Sequence, residues 1–407
     1  MLISSLSFKR LHYLLFGILF TPIHLAVVVA AVPTSSIKMP KASQSLLLDV
    51  ELIGSKIVTV GERGHVLISN DQGESWSQAN VPVVQMLNAV DFYNENLGWA
   101  VGHDGNIIHT EDGGMNWFLQ RDGLKAQNEA NITSVSLLKA KVNLLQSQVE
   151  DASLSNVESE SVKVDADSAF SFNADDDAPL TLEEKLDEAK WELENAQERL
   201  DSPVITPPLM DVWFSDSKNG WAVGAFGTLL QTTDSGYTWS DRSKSIKNPD
   251  GYHLNAVIGA GDTLFVGGEA GYLVYSKDNG ETWSIADIGY DGTIFGMFAA
   301  SDGSFVIATG LRGNTFKSVD GGMSWSALSP GVDYSLSNGA AYQGNNIVLV
   351  GTGGSVAVSN DNGDSHFVHH TLPARASLSA VIVLESGEFL FVGQGGVHRF
   401  DISSVAE

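Results

Sequence analysis

The chain has 407 residues, a formal net charge of −26 and no cysteine. That charge excludes nucleic acid, whose phosphates demand lysine and arginine, and the missing thiols exclude disulfides, thiolate metal sites, cysteine nucleophiles and lipidated cysteine anchors. With 43% hydrophobic residues, 41 glycines and nine tryptophans, the chain can bury a large core, and the composition favours short strands and tight turns over helices.

At the amino terminus, "FKR" (8–10) precedes the apolar run "LHYLLFGILFTPIHLAVVVAAVP". A basic head, an apolar stretch and a small-residue end predict a signal peptide over 1–31, cut after Ala31. The chain is then exported, to a periplasm or, in a phototroph, to the thylakoid lumen. An uncleaved membrane anchor is the alternative, weakened by Pro22 and His24 inside the run.

The rest of the chain repeats. "VGERGHVLISNDQGESW" ends at Trp76, and "VGHDGNIIHTEDGGMNW" at Trp117. "VGAFGTLLQTTDSGYTW", "GGEAGYLVYSKDNGETW" and "TGLRGNTFKSVDGGMSW" end at Trp239, Trp283 and Trp325. A sixth copy carries His366 in place of tryptophan, and a seventh stops at Asp401 before its turn. Paired glycines fall at 61/64, 102/105, 224/227, 268/271, 310/313, 351/354 and 393/396, about 42 residues apart except for one gap after the second copy. An apolar tetrapeptide such as "LLDV" (47–50) or "LNAV" (87–90) opens each copy. Each unit therefore reads as four short strands, a propeller blade that cannot cover its apolar face alone. The predicted fold is an all-β, seven-bladed propeller, with blades one and two over 32–121 and blades three to seven over 209–407. The seventh unit has only three strands, so Ser35–Ser45 is expected to pair with the strand ending near Asp401.

The pattern S/T-x-D-x-G-x-S/T-W is an Asp box, filled at Asp71, Asp112, Asp234, Asp278, Asp320 and Asp361. Its carboxylate can accept backbone N–H bonds across a tight turn, and glycine two residues on supplies positive φ. Six copies around a ring predict architecture, not catalysis.

"NLGWAVGHDGNIIHTEDGGMNW" and "KNGWAVGAFGTLLQTTDSGYTW" resemble the photosystem II stability/assembly factor family. The resemblance runs over all seven units and implies a non-enzymatic, exported, membrane-peripheral chaperone that holds membrane-protein assembly intermediates, without a cofactor. An accessory subunit of an envelope transport system and a glycan-binding or sialidase-like propeller are the alternatives. No "RIP" motif and no identifiable acid/nucleophile pair support glycosidase chemistry.

Residues 122–208 interrupt the ring. Ile132, Val135, Leu138, Val142, Leu145 and Val149, and then Leu182, Leu186, Ala189, Leu193, Ala196 and Leu200, are spaced three and four apart. They predict two amphipathic helices of 20-odd residues forming an antiparallel, coiled-coil hairpin. "TLEE" (181–184) predicts a capping box and "SPVITPP" (202–208) a stop. The acidic stretch from Glu150 to Pro179 is expected to be a loop. The insertion holds 19 acids and 7 bases.

His366, His369 and His370 lack metal-ligand spacing, and "DDD" (175–177) lacks a calcium-loop frame, so no metal is expected. The loops between each second and third strand vary most, and the topology puts them all on one face, with the Asp boxes on the other. The insertion leaves from that same loop face. The candidate partner-binding residues are Arg63, His103, Asp104, Phe226, Glu269 and Arg312 in these loops, with Trp191 off the helix seam; no catalytic residue is assigned.

Overall fold

A computed structural model describes residues 34–159, 180–343, 346–364 and 366–400. The segment read as a signal peptide lies outside the described residues. So do most of the acidic stretch of the insertion and Asp401. Seven antiparallel sheets form the ring, six of four strands and one of three. Sheets of blades one to seven begin at Leu47, Leu87, Leu209, Leu254, Ile294, Leu336 and Leu378, the seven tetrapeptides of the sequence. Each inner strand is bulged next to its opening residue, for example between Leu47 and Asp49 or Leu378 and Ala380, a device that increases local twist.

Second strands such as Gly98–Gly102 and Gly220–Gly224 are buried throughout. Both of their faces pack on neighbouring sheets, so their sequences are continuous apolar runs, not alternating ones. The interfaces are apolar clusters shared by consecutive blades. Trp99 and Val101 of blade two, for instance, pack with Val212, Phe214 and Leu230 of blade three.

Ring closure differs from the expectation. Among the described residues the last strand, Gly396–Phe400, pairs only with Phe389–Gly393. The stretch before the first blade instead lies along blade one: the Ser36 amide donates to the Val81 carbonyl (3.0 Å), and the Met39 amide to Gln78 Oε1 (2.9 Å). Only the short turn Ala42–Gln44 reaches the last strand, with the Ser43 carbonyl against Gly396. Blades seven and one close face to face instead. Leu390 and Val392 bury against Leu47, Val50 and Ile57, while Arg399 pairs with Glu74 of blade one and Glu388 of its own blade. Apolar burial between two complete faces makes a shared strand unnecessary here.

Asp71, Asp112, Asp234, Asp278 and Asp320 each bridge their Asp-box turn. Asp278 Oδ1 accepts from the Thr282 amide (2.9 Å), Oδ2 from the Thr282 hydroxyl (2.6 Å), and the Ser276 hydroxyl links Oδ1 to the Gly280 amide. The hydroxyls of Ser75, Thr282 and Ser324, with their amides, pull Asp71, Asp278 and Asp320 down to about 2. The box glycine has a second duty beyond its positive φ. A Cβ on Gly236, Gly280, Gly322 or Gly73 would meet Trp99, Trp221, Phe265 or Leu390 respectively, one second-strand slot on the preceding blade. The Asp278→Ala variant should melt earlier than the parent, because three turn donors lose their acceptor. Thermal unfolding followed by tryptophan fluorescence tests this, and an unchanged melting temperature would refute a structural role.

The inserted helices are α1 (Gly123–Ser159) and α2 (Leu182–Asp201). They run antiparallel, with Val142, Leu186 and Ala189 buried between them and Lys141 bonded to Glu192 at 2.8 Å. Thr181 and Glu184 form the reciprocal capping box. α1 is longer than the seam predicts: it continues through Asp151–Ser159, which the acidic composition assigned to a loop. Helix propagation from a formed end adds one bond per residue fixed, and that outweighs a modestly unfavourable composition.

Candidate functional site: the loop face

The loops between second and third strands are built alike in six blades. Glu62, His103, Ala225, Glu269, Leu311 and Thr352 each donate an amide to the carbonyl just before the inner strand of their own blade. The next residue then takes a left-handed conformation: Arg63, Asp104, Phe226, Ala270, Arg312 and Gly353 have φ between 53° and 69°. The turn repeats a conformation while leaving the side chain free to vary, and that freedom is what a recognition surface needs.

The seven candidate residues do not form one cluster. Arg63 and Arg312 are exposed, but on blades one and five, with two blades between them along the shorter arc of the ring. Arg63 reaches Met39 Sδ at 3.8 Å. His103 and Asp104 lie at the foot of the insertion: Arg121 donates to the Gly105 carbonyl, and the Asp104 carbonyl abuts Gly123 at the start of α1. Phe226 and Glu269 do come together, through a residue that sequence reasoning missed. The Phe226 ring, 70% exposed, meets the His253 ring edge-on at 4.8 Å. Glu269 Oε1 lies 3.8 Å from His253 Nδ1, and Glu269 Oε2 accepts the His253 amide at 2.9 Å. The signal available was position: His253 immediately precedes the inner strand "LNAV" (254–257). Trp191 stands on α2, 65% exposed.

A cavity of about 430 Å³ lies on the axis, lined by inner-strand residues of all seven blades, among them Asp49, Asn88, Asp211, Asn255, Asn338 and Ser379, and by the loop-face residue Thr352. Its carboxylates brace blades to one another. Asp49 Oδ2 accepts from the Val90 amide and Asp211 Oδ2 from the Val257 amide, each on the next blade. Asp91 Oδ2 takes the Phe214 amide in the same way. Loss of water pushes Asp49 up to about 6 and Asp91 up to about 7, the amides opposing. It also holds Glu51 and Asp211 well above the usual carboxylate range, with charge on Asp91 and Asp49 adding to the rise. Among the described residues no group of three or more His, Cys, Asp or Glu is arranged to hold a metal, and no helix is long and apolar enough to cross a membrane.

The sequence profile of the photosystem II assembly factor YCF48 matches residues 68–144 and 188–332, together more than half of the chain. The photosystem II assembly lipoprotein Ycf48 of Synechococcus sp. (strain CC9902) is 31% identical over 120 residues, 29% of this chain and 36% of that protein. The chloroplastic photosystem II stability/assembly factor HCF136 of Arabidopsis thaliana is 32% identical over 103 residues, 24% of this chain and 25% of that one. The chain thus matches about a third or less of the length of these relatives. Among solved structures, YCF48 bound to a D1 peptide superimposes with a TM-score of 0.55 at 15% identity, covering 89% of this chain and 94% of that one. YCF48 from Cyanidioschyzon merolae gives 0.53 at 14%, covering 91% and 98%. The WD40 propeller domain of Doa1 also gives 0.53, at 12% identity, covering 90% and 95%, so the superpositions establish a propeller and no more. The sequence profile goes further, and by it this chain belongs to the YCF48 family of photosystem II assembly factors.

Proposed function

We propose that the chain is an exported, non-enzymatic assembly factor that holds a photosystem II membrane protein, or an intermediate containing one, in the thylakoid lumen or periplasm. The observation that carries this reading is the match of the family's profile to more than half of the chain, on a ring whose helical pair leaves beside the loop of Gly105. Arg63, His103, Asp104, Phe226, Glu269 and Arg312 would contact the client from the loops, and Trp191 from the arm. A related propeller has been captured with a D1 peptide, which makes a segment of a photosystem II subunit the natural client class. The division into a signal segment (1–31), a propeller in two parts (32–121 and 209–407) and an arm (122–208) belongs to the same proposal.

Replacing Asp122–Pro208 by a short Gly/Ser linker tests it. Both ends of the insertion meet at one loop, since a Cβ on Gly105 would meet both Thr206 and Gly123, so a short linker can span them. The ring should melt at nearly the parent temperature, while recovery of photosystem II subunits from solubilised membranes should fall at least severalfold. Recovery of the same subunits with and without the arm would move contact to the loops, where Arg63→Glu and Arg312→Glu would then be decisive.

A further inference from the structure

α1 carries a second apolar stripe that α2 does not cover. Ala130, Leu137 and Leu144 recur every seven residues, and Leu137 and Leu144 are 66% and 59% exposed. This stripe lies away from the Val142–Val149 seam that packs on α2. Leu137 and Leu138, with small Ala130 and Ser134, line the α1 side of a groove along the flank of the pair, and Trp191 and Arg199 line the α2 side. Heptad spacing is the pattern by which a helix receives another helix, and small residues between large ones let a backbone approach closely. From Ala130 to Leu144 the stripe runs about 21 Å, some four helical turns.

Charge selects the occupant. The two helices carry 12 acids against 6 bases, 8 against 3 of them on α2, so a second copy of the arm would meet like charge, whereas a cationic helix would be drawn to the α2 side and held. We propose that this groove docks a basic amphipathic helix of a partner protein, apolar residues seated between Leu137 and Trp191 and lysines or arginines facing the acids of α2. The proposal deepens the reading of the insertion as a partner-contacting arm and names the chemistry of what it holds.

The test uses the full chain and a fluorescein-labelled Leu–Lys amphipathic peptide about four turns long, with its Leu–Glu counterpart as control, followed by fluorescence anisotropy. The Leu–Lys peptide should bind and the Leu–Glu peptide should not. Leu137→Asp and Trp191→Ala should each weaken binding about tenfold or more; both side chains are two-thirds exposed, and circular dichroism should show unchanged helix content. Leu137→Asp is the sharper variant, because it adds negative charge: simple attraction of a cation to an acidic protein would strengthen, while groove docking weakens. Unchanged or tighter binding by Leu137→Asp overturns the proposal, as does equal binding of the Leu–Glu peptide or no binding of either. So does self-association of the parent in sedimentation velocity that Leu137→Asp abolishes, since the occupant would then be a second copy. If the peptide fails while deletion of the insertion still releases photosystem II subunits, the groove proposal falls and the arm reading stands. If the peptide binds as expected while the deletion changes nothing, the converse holds.

Discussion

Replacing Trp99 with alanine is expected to lower the free energy of unfolding by about 3–5 kcal/mol, the usual cost of truncating a large buried aromatic. Trp99 is fully buried and lies flat on Phe214 of the next blade, ring centroids 3.5 Å apart and planes within 9°. On its own sheet it stacks on His109 at 4.6 Å. Its Nε1 donates to Gln120 Oε1 (3.1 Å) and to the Ser235 carbonyl (3.3 Å) in the Asp-box turn of blade three. Truncation thus opens a void between two blades and removes a donor from that carbonyl, which keeps only Gln120 Nε2 at 2.9 Å. Denaturant unfolding measures the loss. Trp191→Ala, at an exposed site, should change stability by less than about 0.5 kcal/mol, and comparable losses in the two variants would contradict the interblade role of Trp99.

Stability should also fall as pH rises from 5 to 8, by an amount on the order of 2–4 kcal/mol, one pKa unit corresponding to about 1.4 kcal/mol. Asp49 and Asp91 sit at about 6 and 7 in the fold, against about 3.9 in the unfolded chain. A carboxyl raised in the fold keeps its proton after the unfolded chain has lost its own. Its contribution is therefore full below about pH 4 and is lost as pH climbs through the folded values. The Asp-box carboxylates act in the opposite sense: Asp71, Asp278 and Asp320 lie near 2, so their contribution is present above about pH 4 and lost as pH falls through 2. The stability maximum should lie in mildly acidic solution, near pH 4–5. Asp91→Asn keeps an oxygen for the Phe214 amide and cannot ionise; it should match the parent at pH 5 and exceed it at pH 8. Melting temperatures across this range decide the matter, and a parent most stable at pH 8 would show the inner acids to be ordinary.

Much of the fold was legible because a propeller writes itself into a sequence seven times. The 42-residue period, the "GWAVG" strands and the Asp boxes all report the same blade, so an error in one copy is corrected by the others. The capping box at Thr181 was legible for a different reason: it needs only two residues at fixed spacing. What could not be read was set by contacts between distant segments. The path of Ser35–Ser45 along blade one depends on Gln78 and Val81, with no local signature. The extension of α1 past Glu150 was hidden by acidic composition. Sequence shows the chemistry of the loop residues but not that Arg63, Asp104, Phe226 and Arg312 share a conformation; their grouping depends on which blades are neighbours. The inner acids had left a trace, unremarked: Asp49, Glu51, Asp91 and Asp211 interrupt otherwise apolar inner strands, where a carboxylate must find an amide or keep its proton.

At four joints of the ring the fit between the Asp-box glycine and the preceding blade's second strand limits how such a ring can grow by duplication. A copied blade brings a large side chain in that slot, Trp99, Trp221, Phe265 or Leu390, and a bare turn to receive one. Both halves of the joint travel together in one unit, so a copy of such a blade brings its own seat to a new neighbour. Drift then works against this freedom: a bulky residue can enter the slot only while the following turn keeps its glycine, and that glycine can be lost only after the slot has shrunk. The blades at these four joints are thereby bound to a shared history, recorded in side-chain size as well as in sequence.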